Sequence, residues 1–315
     1  MKRCKSLILG LSLTFAPLAP AFAAPAADTL IIPPIEQTAP PVESFVHADP
    51  ALWVLKDDDT TIYLFGTIHL LRREILWFDG PVRRAFDSAQ EVVLEIIDND
   101  SPDAQSEMLR RAMQPDAPPL SSQLPKDQGE KFLTALADNG APAVLFDHVK
   151  PWLAAMTLSI LPLQKLGYSA DSGVDRAIRA EAVAAGKTLV GLETTAAQIG
   201  YFESMPHDMQ MALLGQTLDA LPALPTTIDQ MMTAWQSGDP ERLATLMNES
   251  VDSNPGLRKL LLTDRNARWA DWIVARLAAP GTVFVAVGAG HLAGDDTLQR
   301  MLRQRGLDTA LVPQD

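Results

Sequence analysis

Two short segments of this sequence combine a hydrophobic strand with a histidine that follows a glycine by three positions. They are Tyr63-Leu64-Phe65-Gly66-Thr67-Ile68-His69-Leu70 and Ala286-Val287-Gly288-Ala289-Gly290-His291-Leu292. Ligands of open α/β sheets bind beyond the carboxyl ends of strands, where a glycine lets the backbone approach them closely. If the two strands are neighbours, His69 and His291 meet at one sheet edge. Two imidazoles and a carboxylate are a common site for a divalent metal.

Two glutamates at the ends of other apolar segments are candidates for that carboxylate. Glu95 interrupts the apolar run 92–97, and Glu193 follows the run 189–192. Acidic side chains are rarely buried unless they are paired or bound to a metal. Glu95 has apolar neighbours on both sides, so it is our first candidate for a metal ligand or a general base. Glu193 has an equally good alternative, in which it lies at a helix N-terminus or pairs with an arginine.

Arg265 and Asp175 lie in segments that resemble helix starts. Arg265, in Asp264-Arg265-Asn266, is a candidate for holding a substrate carboxylate or stabilising an oxyanion. The alternative for Arg265 is an exposed ion pair at the start of a helix. Asp175, in Gly173-Val174-Asp175, is interpreted as a first-turn residue that is favoured by the helix macrodipole.

A sheet is needed to bring these side chains together, and the sequence predicts one. Apolar, β-branched runs predict strands at 51–55, 61–65, 91–97, 188–192 and 282–287. Helices are expected at roughly 81–88, 103–114, 127–138, 151–160, 173–185, 206–219, 226–236, 240–249, 264–279 and 295–305. Strands that alternate with helices predict an α/β domain with a partly parallel sheet. The helical middle is expected to form a lobe or a cap over that sheet.

The N-terminus has the features of a secretory signal peptide. Lys2, Arg3 and Lys5 precede an apolar stretch that ends in Ala21-Phe22-Ala23, a small-x-small cleavage site. We therefore expect a signal peptide over 1–23, a proline-rich linker over 24–48 and the folded domain over 49–315. A retained membrane anchor is the alternative. Export would make the protein periplasmic or secreted, with no transmembrane segment after cleavage.

Composition narrows the classes of function. The 315 residues carry a formal net charge of −13, and the basic residues lost with 1–23 would take it to −16. Such an acidic chain has no basic stripe for nucleic acid. The one cysteine, Cys4, lies in the predicted signal peptide, so disulfides and cysteine nucleophiles are excluded from the mature chain.

The order of the motifs resembles the TraB/PrgY/GumN family, which includes the Tiki metalloproteases, and most of all its bacterial periplasmic GumN-type members. Besides the two Gly-x-x-His segments, the resemblance rests on Val93-Leu94-Glu95, Gly173-Val174-Asp175, Gly191-Leu192-Glu193-Thr194 and Asp264-Arg265-Asn266. The resemblance implies a fold related to erythromycin esterase and the haem-binding ChaN proteins. It also implies a metal-dependent, peptidase-like site formed by His69, His291 and Glu95, with Arg265 in support and Mn²⁺ or Co²⁺ as the metal.

The sequence thus predicts an exported metal-dependent hydrolase, most simply a peptidase, that acts on a peptide or a small molecule. His69 and His291 would hold the metal, which lowers the pKa of bound water. Glu95 would be a ligand or take the proton from that water, and Arg265 would steady the oxyanion. The alternative is a non-catalytic binding protein for haem or a peptide.

Overall fold

The computed structural model of this chain describes residues 45–98, 102–251 and 255–314, with 248–251 described by backbone alone. The predicted signal peptide and linker residues 24–44 lie outside these ranges, so they stay predictions. The last part of the predicted linker contains a two-residue strand, Val46–His47, which pairs in parallel with Ile75–Leu76. In the described residues no helix is both long and apolar enough to cross a lipid bilayer.

A six-stranded mixed sheet forms the centre of the fold. Its strand order is β6-β5-β7-β3-β2-β8, with β6, β5, β7 and β3 parallel and β2 antiparallel to both neighbours. The strands are β1 (Val46–His47), β2 (Leu52–Lys56), β3 (Thr60–Thr67), β4 (Ile75–Leu76), β5 (Glu91–Leu94), β6 (Thr188–Gly191), β7 (Gly281–Gly288) and β8 (Ala310–Leu311). The predicted mixed α/β class is confirmed, and the finer ChaN-like assignment stays a prediction.

Most helices of the described residues lie close to positions predicted from the sequence. The helices are α1 (Gly80–Ser88), α2 (Pro102–Ala112), α3 (Leu120–Gln123), α4 (Lys126–Asp138), α5 (Pro151–Lys165), α6 (Val174–Ala184), α7 (Thr195–Glu203), α8 (His207–Ala220), α9 (Leu224–Gln236), α10 (Pro240–Val251), α11 (Pro255–Arg258), α12 (Asp264–Arg276) and α13 (Leu298–Arg303). Of these, α3, α7 and α11 lie outside the predicted ranges. One junction matters for the site. Helix α12 begins at Asp264, as predicted, but it continues directly from a π-helical turn, Lys259–Thr263, which joins it to α11.

The two central strands have apolar residues on both faces, as parallel strands covered by helices require. On one face, Phe65 and Phe284 pack with α1, α6, α9 and α10. On the other face, Leu64 and Val285 pack with α12 and α13. The helical middle has a third core of its own, made mainly by α2, α4, α5, α7 and α8 around Trp152. The polar side chains considered next lie where the parallel strands end.

Candidate functional site

The two Gly-x-x-His motifs lie side by side at one edge of the sheet. Strands β3 and β7 are adjacent and parallel, and their register pairs Gly66 with Val287 and Thr67 with Gly288. The turns that follow are in close contact, since a Cβ on Gly66 would lie 3.1 Å from the Cα of Ala289. The predicted neighbouring of the two strands is therefore correct, and the glycine permits the motifs to approach each other.

His69 is held by the segment that starts helix α6. The N–H of Val174 donates to the carbonyl of Ile68 at 2.9 Å. Gly173 packs so closely on the His69 backbone that a Cβ there would lie 2.4 Å from the His69 carbonyl oxygen. This clamp brings Asp175 to the imidazole, where His69 Nδ1 lies 2.7 Å from Asp175 Oδ1. Both side chains are mostly buried, with 7% of His69 and 19% of Asp175 exposed.

His291 lies in the short 3₁₀ turn after β7 and is fully buried. Its Nε2 is 3.1 Å from Nη1 of Arg265, and its Nδ1 is 2.7 Å from Oδ1 of Asn266. A guanidinium only donates, so Nε2 accepts and the proton resides on Nδ1, which donates to Asn266. The ring also packs on Trp269, with centroids 4.3 Å apart. Burial, Arg265 and His69 lower the pKa of His291 well below 6.5, so this imidazole is neutral.

Arg265 is the central cation of the site and has no exposed surface. Its Nη2 donates to Oε2 of Glu95 at 2.6 Å, and its Nε donates to both carboxylate oxygens of Glu193 at 3.0 and 3.1 Å. Its Nη1 also donates to the carbonyl of Leu261 in the π-helical turn, 3.2 Å away. Burial alone would lower the pKa of Arg265, but the two glutamates raise it above its usual value. The side chain is thus a permanent charge inside the protein.

Glu95 connects both motifs to Arg265. It lies one residue beyond β5, rather than inside a longer strand as predicted, and is 2% exposed. One carboxylate oxygen accepts from the N–H of Gly288 at 2.7 Å, and the other accepts from Arg265 and from Gln198 at 3.0 Å. Both carboxylate oxygens of Glu95 therefore accept hydrogen bonds from the protein.

Glu193 takes the arginine-paired alternative that the sequence left open. Besides Arg265, Tyr201 donates to it at 2.9 Å and Arg268 at 3.3 Å. Burial raises the pKa of Glu193, but Arg265 together with the hydrogen bonds from Tyr201 and Gln198 lowers it overall. The helix cap is supplied instead by the neighbouring Thr194, whose hydroxyl accepts from the N–H of Ala197.

Comparison with known proteins identifies the family of this chain. A sequence model of the TraB/PrgY/gumN family matches residues 51–310, and this range holds all of the side chains described above. The chain belongs to the TraB/PrgY/gumN family.

Similar proteins of this family occur in several bacteria. YbaP of Escherichia coli and YbaP of Shigella flexneri are each 28% identical over 257 residues, which cover 81% of this chain and 92% of the relative. An uncharacterized protein of Treponema pallidum is 23% identical over 281 residues, 83% of this chain and 82% of the relative. No solved structure matches.

The metal site implied for the family does not fit the arrangement of the donors. In residues 45–98, 102–251 and 255–314, no three His, Cys, Asp or Glu side chains form a group that would hold a metal ion. Glu95 and His291 come within 3.8 Å of each other, but the guanidinium of Arg265 bonds to both. The predicted site residues thus lie at one edge of the sheet, where Arg265 joins Glu95 to His291 and Asp175 holds His69.

Several residues of this TraB-family site were missed or given another role from the sequence. Asp175 does lie in the first turn of α6, as predicted, but its carboxylate also contacts His69. No role was predicted for Asn266, Gln198 or Tyr201, because these residue types do not by themselves indicate catalysis or metal binding. The available signal was position, since Asp175 and Asn266 lie inside the short motifs that carry the family resemblance.

Proposed function

We propose that this chain is an exported hydrolase of peptides or related acyl compounds, with His69 as the group that moves the proton. The observation that carries the proposal is the contact of 2.7 Å between His69 Nδ1 and Asp175 Oδ1. The pair is mostly buried, with 7% of the His69 side chain and 19% of the Asp175 side chain exposed, and Nε2 of His69 itself is buried. A histidine oriented by a carboxylate is a recurrent arrangement for general acid–base catalysis.

The Asp175 carboxylate accepts the Nδ1–H of His69, which makes Nε2 the basic atom of the ring. In hydrolysis, Nε2 would take a proton from the attacking water or hydroxyl and return it to the leaving group. Asp175 would stabilise the imidazolium that forms between these two transfers. Gly173 and Val174 fix the backbone of the His69 turn, and Asp175 orients the ring through Nδ1, which places Nε2 for proton transfer.

The buried cluster, which consists of Glu95, Glu193, Arg265 and His291, supports His69 and has no direct part in these steps. Arg265 is fully buried and bonded to Glu95, Glu193 and His291. It is therefore a positioning residue, and not the oxyanion donor that the sequence suggested. Its role is to hold the ends of β5 and β7 against each other beside the His69 turn.

Two parts of the function rest on sequence alone. Export to the periplasm or the medium depends on the signal peptide predicted over 1–23. Dependence on Mn²⁺ or Co²⁺ depends on the family resemblance, and none of the steps above uses a metal. The assay therefore includes both metals and a chelator as separate conditions.

The test is cleavage of a peptide library and a panel of simple esters and amides by the purified mature chain. We expect His69→Ala to lower the rate by at least ~10²-fold, since that is the usual contribution of a general base. His207→Ala is the matched control, because His207 is an exposed residue at the start of α8. Equal rates for wild type and His69→Ala would overturn the proposal. A Soret band, or tight binding of an intact peptide without cleavage, would favour the binding protein instead.

A further inference from the structure

We propose that Arg265 is the resident cation of the buried centre, so that this cluster is complete without a metal ion. The centre contains two of the three predicted metal ligands, Glu95 and His291. Both are hydrogen-bonded to the guanidinium of Arg265. The cation among these residues is therefore a side chain of the protein, where the family resemblance implies Mn²⁺ or Co²⁺.

The donors around the guanidinium are those that a divalent metal would use. Nη2 of Arg265 lies 2.6 Å from Oε2 of Glu95 and 2.9 Å from Oε2 of Glu193. Nη1 lies 3.1 Å from Nε2 of His291. Two carboxylates and one imidazole are a typical three-residue ligand set for zinc and related metals. Each of these three groups already directs a lone pair at Arg265.

The charges in the cluster also balance without a metal. Glu95 and Glu193 carry two negative charges, and Arg265 and Arg268 carry two positive charges within hydrogen-bond distance of them. His291 adds no charge, because its Nε2 accepts from Arg265 and only its Nδ1 carries a proton, donated to Asn266. A divalent ion in this buried space would bring two positive charges without a partner, which a low-dielectric interior strongly opposes.

The same charge balance predicts the effect of removing the guanidinium. Arg265→Ala would leave two carboxylates and a neutral imidazole around an empty space, with one cation, Arg268, at the exposed side. Such a cavity has the ligands and the excess negative charge that a divalent ion requires. We therefore expect Arg265→Ala to create a metal site that the wild-type centre lacks.

The experiment compares thermal unfolding of chelator-treated full mature chains with and without Mn²⁺, Co²⁺ or Zn²⁺, and titrates the same metals by calorimetry. Wild type should show no shift of Tm that depends on this centre. Arg265→Ala should unfold at a lower temperature and regain part of the loss with at least one metal, at one equivalent. Adding Glu95→Gln to Arg265→Ala should abolish that recovery. Arg268→Ala, a half-exposed arginine beside the centre, should respond as wild type does.

Two outcomes would overturn the inference. The first is binding of one equivalent of metal by wild type that is lost in both Glu95→Gln and His291→Gln. The second is a folded Arg265→Ala that gains no metal binding. If Arg265→Ala does not fold even with metal present, the wild-type titration and Arg265→Lys, which should bind no metal, still decide. Failure of the proposed hydrolase activity is distinguishable, because these readouts measure binding and unfolding, not turnover.

Discussion

The two Gly-x-x-His segments share one sequence plan, yet the protein uses their histidines differently. His69 is 7% exposed, and its Nδ1 lies 2.7 Å from a carboxylate oxygen of Asp175. His291 is fully buried between an amide and a guanidinium, Asn266 and Arg265. A carboxylate favours the protonated imidazole, whereas burial beside a cation disfavours it. The same motif thus yields one histidine suited to carry a proton and one that stays neutral and fixed.

The difference arises from the elements that pack on each turn. Helix α6 reaches His69 with its first turn, where Gly173 allows contact and Asp175 follows two residues later. Helix α12 reaches His291 with two side chains from its own first turn, Arg265 and Asn266. A strand-end histidine therefore takes its chemistry from the helix start above it, and the strand only sets its location.

Removal of Arg265, which contacts the buried histidine His291, is expected to have the largest effect on stability. Arg265→Met should reduce the free energy of unfolding by about 3–5 kcal/mol, because it leaves two buried carboxylates without their partner. The matched control is Arg268→Met, at the half-exposed end of the same network, where an ion pair contributes up to about 1 kcal/mol. Urea denaturation of both variants at pH 7 measures the difference. Equal losses for the two arginines would show that burial of Arg265 has no energetic consequence.

Asp175→Asn tests the other histidine, His69, which is proposed to transfer a proton. It keeps the shape of the side chain but removes the charge that supports a protonated imidazole, so the rate should fall on the order of 10²-fold. The free energy of unfolding should fall by about 0.5–1.5 kcal/mol, because the amide oxygen of asparagine can still accept a hydrogen bond from His69 Nδ1 in this mostly buried pair. Asp171→Asn provides the control, since Asp171 is an exposed acid in the preceding 3₁₀ turn that pairs with Arg176. A loss of activity in both variants would remove the special role of Asp175.

The sequence was informative about strand ends and poor at pairing charges across the chain. Alternating and continuous apolar runs were sufficient to locate β3 and β7, and with them His69 and His291. The partner of Glu95 is Arg265, 170 positions away, and local patterns carry no record of such a contact. Asp175 fits the preference for acidic residues in the first turn of a helix. That preference already accounts for its position, so nothing in the sequence indicated its contact with His69. The start of α12 at Asp264 was predicted correctly, but the π-helical turn over 259–263 that precedes it was not, because hydrophobic periodicity does not reveal such a turn.

The pH dependence of stability offers a sharper measurement of the fixed histidine. The pKa of His291 is lowered in the folded protein, so below its usual value of 6.5 the unfolded chain binds a proton that the folded chain does not. Stability should therefore fall as pH falls below about 6.5, by up to about 1.4 kcal/mol per pH unit for one proton. His291→Gln should flatten this slope between pH 6.5 and 5. Glu193, whose pKa is lowered from 4.5, contributes its own loss of stability only at more acidic pH.

Tyr201 is the smallest perturbation that still tests whether the network acts as a unit. Its hydroxyl donates to Glu193 at 2.9 Å and accepts from Arg268 at 2.6 Å, and burial followed by the charge of Glu193 raises its pKa to about 12. Tyr201→Phe removes one hydrogen bond to a carboxylate that Arg265 still holds, so we expect a loss of about 0.5–1.5 kcal/mol. A double-mutant cycle with Glu193→Gln, followed by urea denaturation, measures the coupling between the two side chains. If the cycle gives no coupling energy, the Tyr201 hydroxyl acts independently of Glu193. The network around Arg265 then ends at Glu193.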